Sequence, residues 1–310
     1  MRIVVLDGHT LNPGDLSWAG LEALGDVTVH DRTAPDQVVE RSQGFEIVLT
    51  NKALIPAAVL AQLLDLKAIA VTATGTNVVD VEATRSRGIP VMNVPGYGTT
   101  AVAQFTIGLL LELCHHVGQH ANSVHRGDWA TSPDWSFHRT PQIELAGRTM
   151  GVFGYGNIGR AVGEIGKAMG MRLITHSRTG GPASVSAEEI FAESDVLTFH
   201  CPLTPETQGI VNRTSLSKMK STAFLINTAR GGLIVEQDLA DALLVGQIAG
   251  AALDVLSSEP PSAENPLLSA KNCIVTPHMA WAATSARQRL LDESIANVAA
   301  FISGTPRNLV

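Results

Sequence analysis

Short, unbroken apolar runs recur along this chain, and between them apolar residues return every three or four positions. The runs are rich in Val, Ile, Leu and Ala and are bounded by Gly, Pro, Asn or Asp. They predict strands over 2–6, 27–30, 46–50, 68–72 and 90–93, and again over 149–153, 172–175, 196–200, 223–227, 249–254 and 273–276. The spacers carry helical patterns, as over 57–64. Because the runs are apolar throughout and do not alternate, they read as strands buried on both faces, and strands that alternate with helices pair in parallel. The pattern runs through twice, so the fold class expected is α/β, with two doubly wound parallel-sheet domains. Between the repeats, the turn VPGYG at 94–98 leads into a long apolar helix predicted over 99–117, and the last thirty residues read as one more amphipathic helix. The segment 127–141, GDWATSPDWSFHRTP, interrupts the pattern with two Pro and two Trp. It is expected to be an irregular excursion of the kind that carries contacts between subunits.

The second repeat opens on GYGNIG, with Gly154, Gly156 and Gly159 placed between an apolar strand and a helix and followed by a second strand. The first glycine permits a tight turn and the second lets the backbone approach a pyrophosphate. The third lets helix and strand pack closely, and the helix N-terminus supplies unpaired N–H donors. In this strand–turn–helix–strand setting the motif predicts a Rossmann dinucleotide site. The next strand ends in Ser177, Arg178 and Thr179. A carboxylate there would hold the ribose hydroxyls of NAD and repel a 2′-phosphate, whereas these three side chains carry donors. NADP(H) is therefore the cofactor expected, with NAD(H) as the alternative.

Composition narrows the remaining choices. In 310 residues, 45% hydrophobic and 16% charged, there is enough apolar material for two cores. The net charge of −7 argues against nucleic acid or an anionic membrane as a partner. Cys114, Cys201 and Cys273 are too few for a disulfide framework, and the opening MRIVVLDG reads as a strand and not a signal peptide, so a cytoplasmic location is expected. His115, His116, His120 and His125 follow helical spacing without an acid cluster, and no metal site is predicted from them.

Three polar residues stand just past predicted strands: Arg230 in INTARGG, Glu259 in DVLSSEPP and His278 in TPHMAWA. Ligands of open α/β sheets bind beyond the carboxyl ends of the strands. An Arg, a carboxylate and a His at that edge suit hydride transfer to a 2-oxo acid. The Arg clamps the substrate carboxylate and polarises the ketone, the His donates a proton to the forming alkoxide, and the Glu holds the imidazole and favours its charged form.

With GYGNIG, HCPLTPET (200–207), INTARGG (226–232), DVLSSEPP (254–261) and TPHMAWA (276–282) in this order, the chain resembles the D-isomer-specific 2-hydroxyacid dehydrogenase family. The TATGTN loop, VPGYGT and the stretch around Trp135 are most similar to its glyoxylate/hydroxypyruvate reductases. The resemblance implies that Arg230, Glu259 and His278 are the catalytic residues, and that Asn51, Thr74 and Gly75 join Arg230 and His278 in binding substrate. It implies cofactor contacts from Tyr155, Asn157, Ile158, Thr179, Cys201, Pro202, Thr207, Thr228, Ala229, Asp254 and Ala280, besides the glycines, Ser177, Arg178, Arg230 and His278. It further implies a substrate domain over 1–98 and 283–310 with a flavodoxin-like sheet, a cofactor domain over 99–282 inserted into it, a D-hydroxy acid product and a homodimer. Gln104 stands where many members carry Glu. The rival readings are an NAD-linked dehydrogenase of another D-2-hydroxy acid, such as D-glycerate or a D-lactate-like acid, and a non-catalytic nucleotide-sensing regulator on the same fold. Glu259 argues against a formate dehydrogenase.

Overall fold

The computed structural model describes all 310 residues, which divide into two compact units, Met1–Gly98 with Trp281–Val310, and Thr99–Ala280. The first unit is built on β1 (Arg2–Val5), β2 (Asp26–Val29), β3 (Ile47–Thr50), β4 (Ala68–Val71) and β5 (Val91–Met92). Every pairing is parallel and the order is β2-β1-β3-β4-β5. The apolar runs are used on both faces. Ile3, Val5, Ile47, Leu49, Ala68 and Ala70 belong to one core layer, while Val4, Val48, Ile69 and Val71 belong to the other. The helix Thr284–Ile302 closes the first of these layers through Val298 and Ile295.

The second unit contains β6 (Thr149–Phe153), β7 (Arg172–His176), β8 (Val196–Phe199), β9 (Phe224–Asn227), β10 (Gly250–Leu253) and β11 (Cys273–Val275). They form one parallel sheet in the order β11-β10-β9-β8-β6-β7. Alternation again sorts the strands: Leu197, Phe199, Leu225, Ala251 and Leu253 face one core, and Met150, Val152, Val196, Phe224 and Ile226 face the other. In both sheets the strand order reverses beside the first strand of the unit, between β1 and β3 and between β6 and β8. Such a switch point opens a crevice at the carboxyl ends of the strands, because the flanking connections leave in opposite directions.

The helix expected over 99–117 is broken. It runs Thr99–His115, His116 adopts a left-handed conformation (φ 47°, ψ 47°), and a second helix, Val117–His125, leaves at a 59° bend. No Pro marks the break, and the nearest glycine, Gly118, already belongs to the second helix. The carboxylate of Glu112, still in the first helix, accepts the amide of Gly118 across it. The helix expected over 57–64 ends at Leu60. The segment 127–141 has no regular structure and is tied internally, with Trp129 Nε1 donating to the Trp135 carbonyl at 3.0 Å and Arg139 paired with Asp128 at 2.7 Å. No single helix is long and apolar enough to cross a membrane.

Candidate active site

The glycine turn after β6 lies at the switch point of the second sheet. Gly154 has φ +99°, and a Cβ there would come within 2.5 Å of the Cys201 nitrogen, so the turn can press against the end of β8 only as glycine. Gly156 caps the helix Asn157–Ala168, and a Cβ at Gly156 would meet nothing within 4 Å. An open face in front of unpaired helix N–H groups is what a pyrophosphate needs, so these residues fit a dinucleotide. Tyr155 turns its ring inward toward Gly163 and Gly181, leaving its backbone to the turn, whereas Asn157 is exposed and Ile158 half-buried.

The neighbouring loops frame this turn. After β7, Ser177 Oγ lies 3.1 Å from Thr179 Oγ1 and accepts the Thr179 amide, while Arg178 and Thr179 are exposed. After β8, Thr207 Oγ1 donates to the Pro202 carbonyl and accepts the Thr204 amide, both at 2.8 Å. Burial pushes the Cys201 thiol up to about 11, which keeps it neutral. The hydroxyl of Thr204, the backbone amide of Glu206 itself and the nearby Arg178 together hold the Glu206 carboxyl below its usual range. After β9, the Thr228 hydroxyl oxygen is buried 2.9 Å from that of Thr106.

The Arg, Glu and His stand at the ends of β9, β10 and β11. His278 Nδ1 lies 2.6 Å from Glu259 Oε2, and Glu259 Oε1 accepts the Leu256 amide at 3.2 Å. Both side chains remain about a third accessible, 29% for His278 and 34% for Glu259. Arg230 reaches the same edge by a different route. A Cβ on Gly231 would fall 1.9 Å from the Leu256 carbonyl carbon, so the backbone following Arg230 lies directly on the loop that carries Glu259. The Arg230 guanidinium is exposed and donates through Nη1 to the Ala229 carbonyl at 2.6 Å.

Two residues behind this edge do work that sequence reasoning missed or placed elsewhere. Asn227, fully buried at the end of β9, accepts the Ala229 amide and donates to the Arg230 carbonyl at 2.8 Å, fixing the Arg230 loop from beneath. A buried amide at the last position of an apolar strand was the available signal. Asp254, expected as a cofactor contact, is 1% exposed and holds the His278 loop: Oδ1 accepts the Thr276 hydroxyl (2.6 Å) and the Met279 amide (2.9 Å), and Oδ2 accepts the Ala280 amide (2.8 Å). His278 itself has φ +52°, a left-handed setting that costs a non-glycine residue roughly 1–2 kcal/mol. The loop bonds to Asp254 hold it there.

In the first unit, the loops at the switch point are also tied from behind. Asp7, at the end of β1, accepts the amides of Asn51 (2.8 Å), Lys52 (2.5 Å) and Ala53 (2.8 Å). Sequence reasoning did not single it out. Asn51 donates its side-chain amide to the Thr72 carbonyl at 2.6 Å, and Thr74 donates its hydroxyl to the Val94 carbonyl at 2.9 Å. The Asn51 side chain thus braces the loop after β4 that presents Thr74 and Gly75.

Comparison with known proteins identifies the family. Residues 107–280 match the family described as D-isomer specific 2-hydroxyacid dehydrogenase, NAD binding domain. The chain is 49% identical to a hydroxypyruvate reductase of Blautia hydrogenotrophica, covering 100% of this chain and 99% of that one. It is 44% identical to a glycerate dehydrogenase of Methylorubrum extorquens over 89% of this chain and 88% of that protein. Among solved structures, an acyclic imino acid reductase (Bsp5) in complex with NADPH and D-Arg superimposes with a TM-score of 0.87 at 28% identity, covering all of both chains. The chain is an oxidoreductase that belongs to the D-isomer-specific 2-hydroxyacid dehydrogenase family, with a Rossmann unit for a nicotinamide cofactor.

Proposed function

We propose that the enzyme reduces hydroxypyruvate or glyoxylate to the D-2-hydroxy acid with NADPH as its cofactor. The observation that carries this reading is the 2.6 Å pairing of His278 with Glu259 at the carboxyl edge of the nucleotide sheet. Glu259 fixes the ring through Nδ1, so the proton is handed over from Nε2. Arg230 takes the substrate carboxylate and the ketone oxygen in its planar fork, which draws electrons from the carbonyl carbon. The cofactor, when bound, supplies the hydride.

The preference for NADPH rests on the turn after β7. Ser177 and Thr179 bring hydroxyls and Arg178 a positive charge, with no carboxylate among them to repel a 2′-phosphate. We also propose a homodimer through the second unit. Trp135 is 88% exposed, and Trp129, Val117 and Val124 add further exposed apolar surface on the same bent helix and excursion.

Initial rates with hydroxypyruvate, glyoxylate, pyruvate and phenylpyruvate, each with NADPH and NADH, test the reading. Turnover should be fastest with the first two substrates and NADPH. Absence of turnover with every pair would sink it.

A further inference from the structure

The last residue of β9 is an amide where the rest of the strand is apolar. Phe224, Leu225 and Ile226 fill the core, and Asn227 follows them, fully buried. Its Oδ1 accepts the Ala229 amide at 3.0 Å and its Nδ2 donates to the Arg230 carbonyl at 2.8 Å. Among short side chains, only that of Asn sets an acceptor and a donor side by side in one plane. A leucine at this position would leave both backbone groups without these partners.

The Arg230 guanidinium closes the same small circuit, because its Nη1 donates to the Ala229 carbonyl at 2.6 Å. Asn227 thus grips the peptide units on either side of the one whose carbonyl receives the guanidinium. The residue between is held as well. Thr106 donates its hydroxyl hydrogen to the Val102 carbonyl at 2.8 Å, so across the 2.9 Å between the Thr106 and Thr228 oxygens it is Thr228 that donates. On its other side, the Asn227 backbone carbonyl accepts the Asp254 amide at 2.9 Å, which ties this loop to the strand end that carries Asp254. A guanidinium fork selects its ligand by direction as well as charge, so the course of its own backbone matters to what it can bind.

We propose that Asn227 is a positioning residue for Arg230: by gripping the peptides around the Ala229 carbonyl it sets where the guanidinium rests, and so where the carboxylate of the 2-oxo acid is received. The inference rests on the proposed role of Arg230 in binding that carboxylate.

A double-variant cycle on the full chain tests it, with hydroxypyruvate and NADPH. Asn227→Asp keeps the shape and the acceptor but sets an oxygen against the Arg230 carbonyl, and Asn227→Ala removes both bonds. Each is measured alone and combined with Arg230→Lys. Misplacing a binding group by about an ångström costs up to about a hundredfold, so each Asn227 variant alone should lose at least about tenfold in kcat/KM, with KM for hydroxypyruvate raised. With the fork already gone there is little left to misplace. In the Arg230→Lys background the same substitutions should therefore cost about threefold or less, because residues that act as a unit are not additive. A merely structural Asn227 would lower Tm and cost the same factor in both backgrounds. Equal factors, or wild-type kcat/KM in the single variants, would overturn the proposal. If Asn227→Ala does not fold, Asn227→Asp carries the cycle alone. If Arg230→Lys is too slow to complete it, the KM of Asn227→Asp decides, and an unchanged KM overturns the proposal. Wild-type kcat/KM in Arg230→Lys would overturn the reading of Arg230 and this inference with it. A crippled Arg230→Lys beside additive Asn227 variants would overturn this inference alone.

Discussion

His278 and Glu259 link the β10 and β11 loops at the candidate site, with Nδ1 and Oε2 2.6 Å apart. The other oxygen of Glu259 is tied to the Leu256 amide in its own loop, so the carboxylate is fixed before it fixes the imidazole. A carboxylate held in this way aims one ring nitrogen and leaves the other to face the substrate.

This geometry predicts the outcome of removing either partner. His278→Ala should lower kcat for ketone reduction by about 10²–10⁴-fold, the usual share of general acid catalysis, while the cofactor still binds. Glu259→Gln removes the carboxylate that aims the ring through Nδ1, so kcat should fall by about tenfold or more while the Kd for the cofactor stays unchanged. A near-normal kcat in either variant would dissolve the proposed pair.

For Arg230, a lysine keeps the charge and loses the fork. Arg230→Lys should raise KM for hydroxypyruvate strongly and lower kcat as well, since both the carboxylate and the polarised ketone depend on the planar geometry. An unchanged KM would show that Arg230 does not hold the substrate carboxylate.

Cofactor choice is read from the turn after β7. A charge-assisted hydrogen bond is worth about 1.5–3 kcal/mol, so one good contact from Arg178 to a 2′-phosphate should favour NADPH in kcat/KM by at least about tenfold. Ser177→Asp combined with Arg178→Ala should abolish or reverse the preference. Equal efficiency with both cofactors in the unaltered enzyme would mean that Arg178 serves only the neighbouring Glu206 loop.

The exposed Trp135 provides a test of assembly. A dimeric mass is expected in light scattering at micromolar concentration, and Trp135→Ser with Trp129→Ser should shift it toward monomer, because large exposed aromatics contribute most where they are buried between subunits. A wild-type monomer would refute the dimer.

His200, at the end of β8, links acid to stability. Burial pushes its imidazole down to about 3, with Nε2 2.9 Å from the Thr198 hydroxyl oxygen and Nδ1 buried without a partner. In the unfolded chain it titrates near its ordinary 6.5. Between those values the unfolded state binds the extra proton, so stability present above pH 6.5 is lost as pH falls, reaching about 2 kcal/mol at pH 5 from this group alone. His200→Gln should show a smaller drop in Tm between pH 7 and pH 5 than the wild type. An equal drop in both would show that His200 does not govern acid sensitivity.

Much of this architecture was legible in the residues. Unbroken apolar runs such as those at 46–50 and 223–227 can be satisfied only by burial on both faces, and GYGNIG between strand and helix leaves little choice of geometry. The break at His116 was not legible, because no proline stands there to forbid a helix, and the Gly118 amide meets Glu112 only once the chain has bent. The Asp254 motif pointed to the cofactor edge, but motif position says nothing about which N–H groups a carboxylate meets once the loop has closed over it.

The sequence alone determined the two parallel sheets, the dinucleotide turn and the three polar residues past the strand ends, because periodicity and local backbone chemistry act over a few neighbouring positions. Tertiary structure decided which of those residues touch. Glu259 meets His278 across nineteen positions, Gly231 seats the Arg230 loop on residues 256 and 257, and Arg287 closes on Asp15 across 272 positions. Such contacts are set by strand order and by the close approach of loops, and no spacing along a chain encodes a distance between loops that only the folded sheet brings together.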